Sequence, residues 1–375
     1  MKNQNDIIYC KNCLMPSSRP RIIFNEGICN GCRNKLDKKK TNWEQRRQEF
    51  LEEIEPYKNM KNNYSCIVPW SGGKDSTMIA LKLKFEFGLT PLLVTFAPVI
   101  PTEIGIHNRK QIIDLGFDHI YVNPNRAVAR ELCKRFLEER GDPKIAWSAG
   151  VTATPVNLAT KMGIPLIFYA EHGESEYGGH ILSEKHKKER DVNEFLEHLV
   201  GDDPMNWINE DTINDSDILP YSFPEAVAVE KKGVRPIYFS YFFKWDIYEN
   251  FKYVKNKINF KTALNGRTDG TFTNYDSLDD KIDDIYYYFQ YIKFGFGRSL
   301  RDASRLLNLG YINKKKAIQY IERYDHEFPM TYFKDVKEYL KVDDKYIDSI
   351  VDRHRNKEIW KRNKNKWELN CKIKN

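Results

Sequence analysis

Short apolar runs alternate with longer amphipathic runs between residues 64 and 169, and this pattern constrains the fold most. The apolar runs have the length of buried strands, while the runs between them carry apolar residues at helical spacing. The predicted strands lie at 65–70, 91–96, 119–122 and 165–169, and the predicted helices at 75–87, 102–115, 126–140 and 154–162. Alternating strands and helices form a parallel sheet covered on both faces, with ligands at the carboxyl ends of its strands. We therefore predict an α/β domain built on a parallel sheet.

Strand signals become sparse after residue 183. An aromatic run at 237–242 is a candidate last strand. The remaining periodic segments are helical, at 278–293, 300–309, 314–324, 332–340 and 345–354. We expect a Cys-rich unit at 1–40, a linking helix at 41–60, the α/β domain at 61–245 and a helical C-terminal region at 246–375.

A loop of small and polar residues follows the first predicted strand and leads into the first predicted helix. Its residues are Ser71, Gly72, Gly73, Lys74, Asp75, Ser76 and Thr77. Small residues let backbone amides approach a polyanion, the helix N-terminus adds unpaired donors, and Lys74 adds positive charge. The spacing of a Walker A loop is absent. We expect the loop to hold phosphates, with Thr95 and Phe96 as further contacts to the ligand that carries them; a chance glycine turn is the alternative.

Three carboxylates follow the predicted strand at 165–169. They are Glu171, Glu174 and Glu176. This group could hold a Mg²⁺ ion that bridges the phosphates of ATP, since Mg²⁺ takes one or two carboxylates together with phosphate and water. We expect Glu174 and Glu176 to act in catalysis alongside Lys74 and Asp75. A solvated acidic loop is the alternative.

Four of the seven cysteines are clustered near the N-terminus as two Cys-x2-Cys pairs. They are Cys10, Cys13, Cys29 and Cys32. In a cytosolic chain this spacing is typical of a zinc ribbon, and a closed four-thiolate Zn²⁺ site is structural because no coordination position is left for substrate. Four unliganded cysteines, or an iron–sulfur cluster, are the alternatives.

Composition argues against a membrane protein and against a nucleic-acid partner. No apolar run is long enough to cross a bilayer, and the first residues lack the apolar core of a signal peptide, so we expect a cytoplasmic location. The net charge of +7 equals that of residues 353–375 alone, which carry nine Lys or Arg and two Asp or Glu. A short basic tail is more often a solvated terminus than an RNA-binding face.

The loop string S-G-G-x-D-S resembles the PP-loop of ATP pyrophosphatases, which cleave ATP between the α and β phosphates. Together with other strings, it resembles the N-acetyl sugar amidotransferase family of the WbpG/PseA type, found in bacterial surface-polysaccharide and flagellin-glycan pathways. The other matching strings are C-x2-C-x-M-P-x2-R-P from Cys10, G-x-C-x2-C from Gly27, E-Y-G-G from Glu176, G-T-x-T-N-Y-D-S from Gly270 and K-F-G-F-G-R from Lys293.

This resemblance implies a reaction that converts an acetamido group on a sugar to an acetamidino group. ATP would adenylylate the amide oxygen and release pyrophosphate, and ammonia would then displace AMP. The acceptor would be an N-acetylated sugar or sugar nucleotide, such as a UDP-linked diacetamido sugar, pseudaminic acid or legionaminic acid. Cys66 and Cys133 lie where core residues are expected, so we expect free ammonia or a separate glutaminase to be needed. The resemblance favours a partner glutaminase of the HisH type, with or without a HisF-like subunit.

The two late strings supply most of the expected substrate contacts. The first, at 270–277, is polar and bounded by glycine, and the second carries a basic pair around glycines that could reach an anionic group. The expected contacts are Tyr177, Gly178, Thr273, Asn274, Tyr275, Asp276, Lys293 and Arg298. For the acidic residues from Asp279 onwards, a helix N-cap with an acidic first turn is the alternative.

Two other functional classes stay open. PP-loop tRNA-modifying enzymes also combine a zinc ribbon with this loop, but the thiolation enzymes among them use a cysteine pair, and between Asp75 and Asn370 this chain has only Cys133. A lysidine-type tRNA ligase needs no such pair. The second class is a non-catalytic nucleotide-binding scaffold, which the intact Ser71, Asp75 and Ser76 disfavour.

Overall fold

The N-terminal unit is small and rich in loops. The computed structural model describes residues 7–179, 183–191, 201–209, 211–364, 366–370 and 373. Near its start, β1 (Phe24–Asn25) and β2 (Ile28–Cys29) form a short antiparallel hairpin. The helix Asn30–Lys38 follows directly, with Cys29 as its N-cap. This order of hairpin and helix brings the two cysteine pairs into one buried cluster.

A five-stranded parallel sheet forms the centre of the molecule. Its strands are β3 (Cys66–Pro69), β4 (Pro91–Phe96), β5 (His119–Val122), β6 (Leu166–Tyr169) and β7 (Arg235–Tyr238). They lie in the order β5-β4-β3-β6-β7, and every neighbouring pair is parallel. The chain builds outward from β3 on one side and then returns to place β6 on the other. The carboxyl end of β3 therefore lies at a topological switch point, where ligands bind in such sheets.

Helices connect the strands and form most of the C-terminal region. Before residue 245 they are Trp43–Ile54, Lys74–Phe85, Glu103–Ile113, Arg126–Arg140, Ile145–Met162, Gly173–Tyr177, Glu184–Lys188, Asp215–Ile218, Ala226–Lys231 and Phe239–Phe242. After it they are Ile247–Lys257, Asp283–Phe294, Arg298–Leu309, Lys314–Tyr324, Phe333–Leu340 and Asp344–His354. No helix in the described ranges has the length and apolar character needed to cross a membrane.

The two faces of the sheet pack against different helices. Along β3, Cys66 and Val68 join the core that contains the helix Lys74–Phe85, whereas Ile67 joins the core that contains the helix Ile145–Met162. Successive residues of a strand point to opposite faces, so each side chain of β3 is buried by one of the two layers. Because both faces are buried, these strands are apolar at nearly every position. The predicted α/β class is confirmed.

Three predicted boundaries were wrong. The helix predicted from residue 278 begins at Asp283. The run at 237–242 is strand only to Tyr238 and continues as the helix Phe239–Phe242, because Phe239 and Phe242 both pack on the ring of Phe50 from the helix Trp43–Ile54. Residues three apart share one side of a helix but lie on opposite faces of a strand. The helix predicted from residue 154 begins at Ile145, nine residues earlier.

Acidic residues tie the C-terminal region to the loop after β4. Asp280 accepts hydrogen bonds from the backbone amides of Val99 at 2.7 Å and Ile100 at 2.8 Å. Asp283 forms an ion pair with the buried Lys144. Burial, with Asp283 nearby, raises the pKa of Asp280 to about 7. These carboxylates therefore join two parts of the chain, instead of forming only the helix cap considered from the sequence.

The basic tail is folded where the structure describes it. Strands β8 (Trp360–Asn363) and β9 (Lys366–Leu369) form an antiparallel hairpin. The indole Nε1 of Trp360 donates to the carbonyl of Ile292 at 2.9 Å, and the Trp360 ring is buried. A solvated terminus was expected here, but apolar residues between the basic ones anchor the tail to the C-terminal helices.

Candidate nucleotide site and adjoining cavity

The loop at 71–77 joins β3 to the helix Lys74–Phe85. Gly72 has a φ of +95°, and a Cβ there would lie 2.7 Å from Cγ of Arg109, so both conformation and space require glycine. Arg109 donates to the carbonyl of Ser71 at 3.0 Å and braces the turn. The first three backbone amides of the helix donate to no acceptor within the described part of the chain. A helix N-terminus with unpaired amides is a binding site for an anion such as phosphate.

Lys74 is buried and forms two ion pairs. Its side chain is 2% exposed, and Nζ contacts Asp75 at 2.6 Å and also Asp276. Burial alone would lower the pKa of Lys74, but Asp276 and Asp75 outweigh it and raise the pKa. The same contact lowers the pKa of Asp276 despite its burial. Lys74 thus joins the loop to the C-terminal region. The sequence had indicated only that Lys74 would supply positive charge to a phosphate.

Two carboxylates reach the loop from different elements. Asp75 accepts from the side-chain amide of Asn250 at 2.8 Å. Glu171, just after β6, accepts from the hydroxyl of Tyr177 at 3.2 Å. Burial, with Asp75 and Glu176 nearby, raises the pKa of Glu171 to about 7. A carboxyl group that titrates near neutral pH can take up or release a proton during catalysis.

The other two acids of this stretch pair with the N-terminal unit. Glu174 lies 3.1 Å from Arg21, and Glu176 pairs with Lys38. Both glutamates were expected to act in catalysis. Their paired carboxylates hold the N-terminal unit against the end of β6, whereas Glu171 is close enough to the loop for the charge of Asp75 to act on it.

The turn at 177–179 is the surface on which the N-terminal unit docks. Asn30 and Arg19 donate to its backbone carbonyls. A Cβ on Gly31 would lie 2.7 Å from the backbone nitrogen of Gly178, so the two backbones touch at glycine. Gly178 was expected to bind substrate, and the structure shows it in a packing contact.

The four clustered cysteines bring their sulfur atoms together. All four Sγ atoms lie within 4.8 Å of one another and are buried. The distance is 3.8 Å between Cys10 and Cys32 and 3.6 Å between Cys13 and Cys29. A tetrahedral zinc ion with bonds of about 2.3 Å places its sulfur ligands about 3.8 Å apart. Backbone amides of Cys29 and Cys32 also donate to cluster sulfurs, which favours thiolates. The cluster therefore fits a structural metal ion.

The first part of the late string at 270–277 is engaged within the protein. Thr273 donates its hydroxyl to Asp302 at 2.8 Å. The carbonyl of Asn274 accepts from the backbone amide of Ala263 at 2.9 Å. Both residues were expected to contact substrate, and both instead stabilise the fold of the string itself.

The second part of the string faces the nucleotide loop. Tyr275 stacks on Phe251 with ring centroids 4.7 Å apart, and its ring lies 5.5 Å from Nζ of Lys74. Asp276 pairs with the same Nζ. These two expected substrate contacts therefore hold Lys74 in place.

The two basic residues of the other late string are also occupied by protein groups. Arg298 is 1% exposed, donates to the carbonyl of Asp276 and lies 3.5 Å from Asp284. Lys293 donates to the carbonyl of Arg140 at 2.9 Å. Substrate contact was expected of both, but their positive charges lie in contacts between C-terminal helices and their neighbours.

Three of the expected nucleotide contacts have core side chains. The hydroxyl of Thr95 donates to the carbonyl of Trp70, and the hydroxyl of Thr77 accepts from Trp70 Nε1 at 2.9 Å. Phe96 packs against Gly150, where a Cβ would lie 2.2 Å from the ring. Only the backbone of these residues is available for contact with a nucleotide.

A cavity of about 630 Å³ lies between the N-terminal unit and the C-terminal helices. Its volume suits a small organic ligand. The walls include three of the cluster cysteines, the short helix Gly173–Tyr177 and the helix Arg298–Leu309. Tyr177 links the cavity to the nucleotide loop, because it lines the cavity and donates its hydroxyl to Glu171. Arg305 covers the ring of Tyr177 at 4.0 Å.

Sequence reasoning missed several residues of this region. Arg301 and Arg305 lie four residues apart in the helix that follows the string K-F-G-F-G-R, and this spacing on one helix face was a usable signal. Arg109 and Asn250 gave no local signal, since both reach the loop from helices distant in sequence.

Comparison with known proteins identifies the C-terminal region. Residues 269–374 match the family model described as LPS biosynthesis protein WbpG-like, C-terminal domain. Both late strings lie inside this match. The resemblance to WbpG-type proteins is therefore confirmed.

Two further similarities are more limited. A stretch of 87 residues is 38% identical to the uncharacterized protein MJ1599 of Methanocaldococcus jannaschii, and it spans 23% of this chain and 31% of that protein. Among solved structures, the chain is similar to a predicted subunit of tRNA methyltransferase from Methanocaldococcus jannaschii, with 17% identity and a TM-score of 0.27. That similarity covers 52% of this chain and 76% of the other. A TM-score this low supports no inference about fold or function.

Replacing Asp276 by alanine should destabilise the protein by about 3–5 kcal/mol at neutral pH, because the buried Lys74 loses one of two partners. The pKa of Asp276 is lowered in the folded state, so its contribution is complete above the ordinary carboxyl pKa and declines as the pH falls below about 4. Urea unfolding at a series of pH values measures both effects. As a control, Asp114→Ala removes an exposed pair with Lys110 and should cost less than about 1 kcal/mol; an equal loss in both variants would contradict this account.

The cysteine cluster should hold a metal ion that fixes the N-terminal unit. We expect zinc in the purified protein by elemental analysis, and loss of that zinc in Cys32→Ser. Because the helix Asn30–Lys38 docks on the turn at 177–179, metal loss should also make the N-terminal unit more sensitive to protease. Cys133→Ser, at a buried cysteine outside the cluster, should keep the zinc. Full protease resistance after the zinc is stripped would contradict the structural role.

Proposed function

We propose that this protein is an ATP-dependent amidotransferase acting on the acetamido group of a sugar, on the premise that residues 269–374 match the WbpG-like C-terminal domain. The pathway would be the biosynthesis of a bacterial surface glycan. The ion pair between Lys74 and Asp276 carries the proposal, because it joins an anion-binding loop to the WbpG-like domain at one point. ATP chemistry and sugar recognition would then share one site.

The proposed reaction activates a poor electrophile. The amide oxygen of the acetamido group attacks the α-phosphorus of ATP, pyrophosphate leaves, and an adenylylated imidate forms. Ammonia then adds to the imidate carbon, and AMP leaves with the original amide oxygen. The nitrogen of ammonia remains on the sugar as an acetamidino group.

The loop supplies the groups that this reaction needs for the leaving pyrophosphate. The unpaired amides at the start of the helix Lys74–Phe85, with the hydroxyls of Ser71 and Ser76, would hold the β and γ phosphates. Asp75 and Glu171 would hold Mg²⁺, since the charge of Asp75 acts on Glu171 and both carboxylates lie at the loop. The ion would supply positive charge for the departing pyrophosphate.

Ammonia would come from outside the described part of this chain. Cys66 and Cys133 are buried, and burial raises the pKa of both thiols, so neither is available as a thiolate nucleophile. The proposal therefore includes a partner glutaminase of the HisH type, or free ammonia. Glutamine-dependent turnover by the purified chain alone would count against it.

Mass spectrometry of a sugar panel tests the reaction. The protein is incubated with ATP, Mg²⁺, ammonium and UDP-linked or free N-acetylated sugars, including nonulosonic acids. We expect a product in which NH replaces an oxygen atom, together with equal amounts of AMP and pyrophosphate. Asp75→Asn should lower the rate by about 100-fold or more while the variant still binds ATP, because a group at the reacting phosphates is lost.

A control and a competing outcome complete this test. Asp114→Asn, at an exposed carboxylate away from the loop, should leave the rate unchanged. Release of AMP only when bulk tRNA is added, with no change in any sugar, would overturn the proposal and favour a tRNA-modifying enzyme.

A further inference from the structure

The cavity beside the nucleotide loop has a positively charged wall. Eight basic and two acidic side chains line it. Both acids are already neutralised, Glu174 by Arg21 and Glu176 by Lys38. Three cluster cysteines also line the cavity, and four thiolates on a zinc ion would carry a net charge of about −2. The other six basic side chains exceed that charge, so the lining keeps a net positive charge.

Five of the remaining cations have no ion pair among the described residues. They are Arg19, Lys35, Lys39, Lys244 and Arg305. Arg305 lies over the ring of Tyr177, and its buried Nε has no hydrogen-bond acceptor. Burial lowers the pKa of Lys35; the charge of Cys32 opposes this shift, and the like charges of Lys39 and Lys244 add to it. Burial also lowers the pKa of Arg305, but nearby acids, Asp276 and Asp302 among them, outweigh it. A concave site in which the basic side chains outnumber the acidic ones favours an anionic ligand.

The cavity is separate from the loop but adjoins it. None of the loop residues at 71–77 lines it, so the phosphates of ATP and a ligand in the cavity would occupy different spaces. The two spaces meet at Tyr177, whose hydroxyl contacts Glu171 beside the loop. The wall also includes Trp245 and Phe296, which offer apolar surface to the face of a sugar ring.

We propose that this cavity is the acceptor chamber, and that Arg305 and Lys35 determine its specificity by binding a phosphate or carboxylate carried by the acetamido sugar. The inference rests on the proposed function for the identity of the acceptor as a sugar. Arg305, on the side nearest Tyr177, and Lys35, on the N-terminal helix, approach the chamber from two different units. Arg305 and Lys35 thereby bind the charged group of the acceptor, and its acetamido group points toward the loop.

Binding measurements without turnover test this inference. Titration calorimetry uses the zinc-loaded protein saturated with a non-cleavable ATP analogue, and three ligands: UDP-N-acetylglucosamine, N-acetylneuraminate and neutral N-acetylglucosamine. We expect at least one charged ligand to bind about tenfold or more tightly than the neutral one, with an affinity that falls as salt is added. The diphosphate and carboxylate ligands tell which anion the chamber takes.

Variants locate the binding in the chamber. Arg305→Gln and Lys35→Gln should each weaken the charged ligand by about tenfold and leave the affinity for the ATP analogue unchanged. Lys244→Gln should also weaken the charged ligand. Because the side chain of Lys244 is exposed, this variant is not expected to have a folding defect. Arg323→Gln is the matched control, since Arg323 also covers a tyrosine ring, that of Tyr324 at 5.1 Å, but lies outside the chamber.

Unchanged affinity of the charged ligands in either Arg305→Gln or Lys35→Gln would overturn the inference. So would equal binding of the neutral sugar, or no binding of either charged ligand. Failure of the proposed function looks different: charged ligands would still bind and depend on Arg305, but no acceptor would be converted when ATP and ammonium are supplied.

Discussion

The buried ion pair between Lys74 and Asp276 is the contact on which the organisation of this site depends. A buried ammonium group is tolerated only when its partners compensate for the water it loses, so Lys74 fixes the positions of both Asp75 and Asp276. Asp75 belongs to the loop at 71–77, whereas Asp276 belongs to the region that matches the WbpG-like C-terminal domain. Arg298 reinforces the link by donating to the carbonyl of Asp276. Movement of either segment alone would leave a charge buried without its partner, and the two are therefore held in one geometry.

The N-terminal unit completes the site from the opposite side. The helix of this unit docks on the turn at 177–179, where glycines allow the two backbones to touch. Arg21 and Lys38 of the unit pair with Glu174 and Glu176 in the short helix that leads into this turn. The cysteine cluster stands behind this helix, so the metal ion that it fits would act on the site by fixing the helix. The result is a cavity whose walls come from the N-terminal unit, the turn after β6 and the C-terminal helices. Nucleotide and acceptor would then meet at a junction of all three parts.

Local pattern predicted much of the fold. The alternating runs located the four strands from β3 to β6, and the glycine loop was placed correctly between β3 and its helix, because strand periodicity and turn chemistry are local properties. The cysteine spacing likewise predicted a cluster that the structure assembles. Side-chain partners could not be predicted in this way. Glu174 pairs with Arg21 and Glu176 with Lys38, and each partner lies more than 130 residues away in the sequence. The spacing of Arg301 and Arg305 on one helix face was a signal that sequence reasoning did not use, whereas the place of Arg305 in a cavity wall exists only after folding.

An isotope transfer experiment tests the central claim, that ATP activates the acetamido oxygen. The acceptor sugar is prepared with ¹⁸O in its acetamido carbonyl and incubated with the protein, ATP, Mg²⁺ and ammonium. The account predicts that ¹⁸O appears in the phosphate of AMP, because the amide oxygen bonds to the α-phosphorus and leaves with it. Unlabelled AMP, formed together with a sugar that retains its ¹⁸O or loses it to water, would contradict the account.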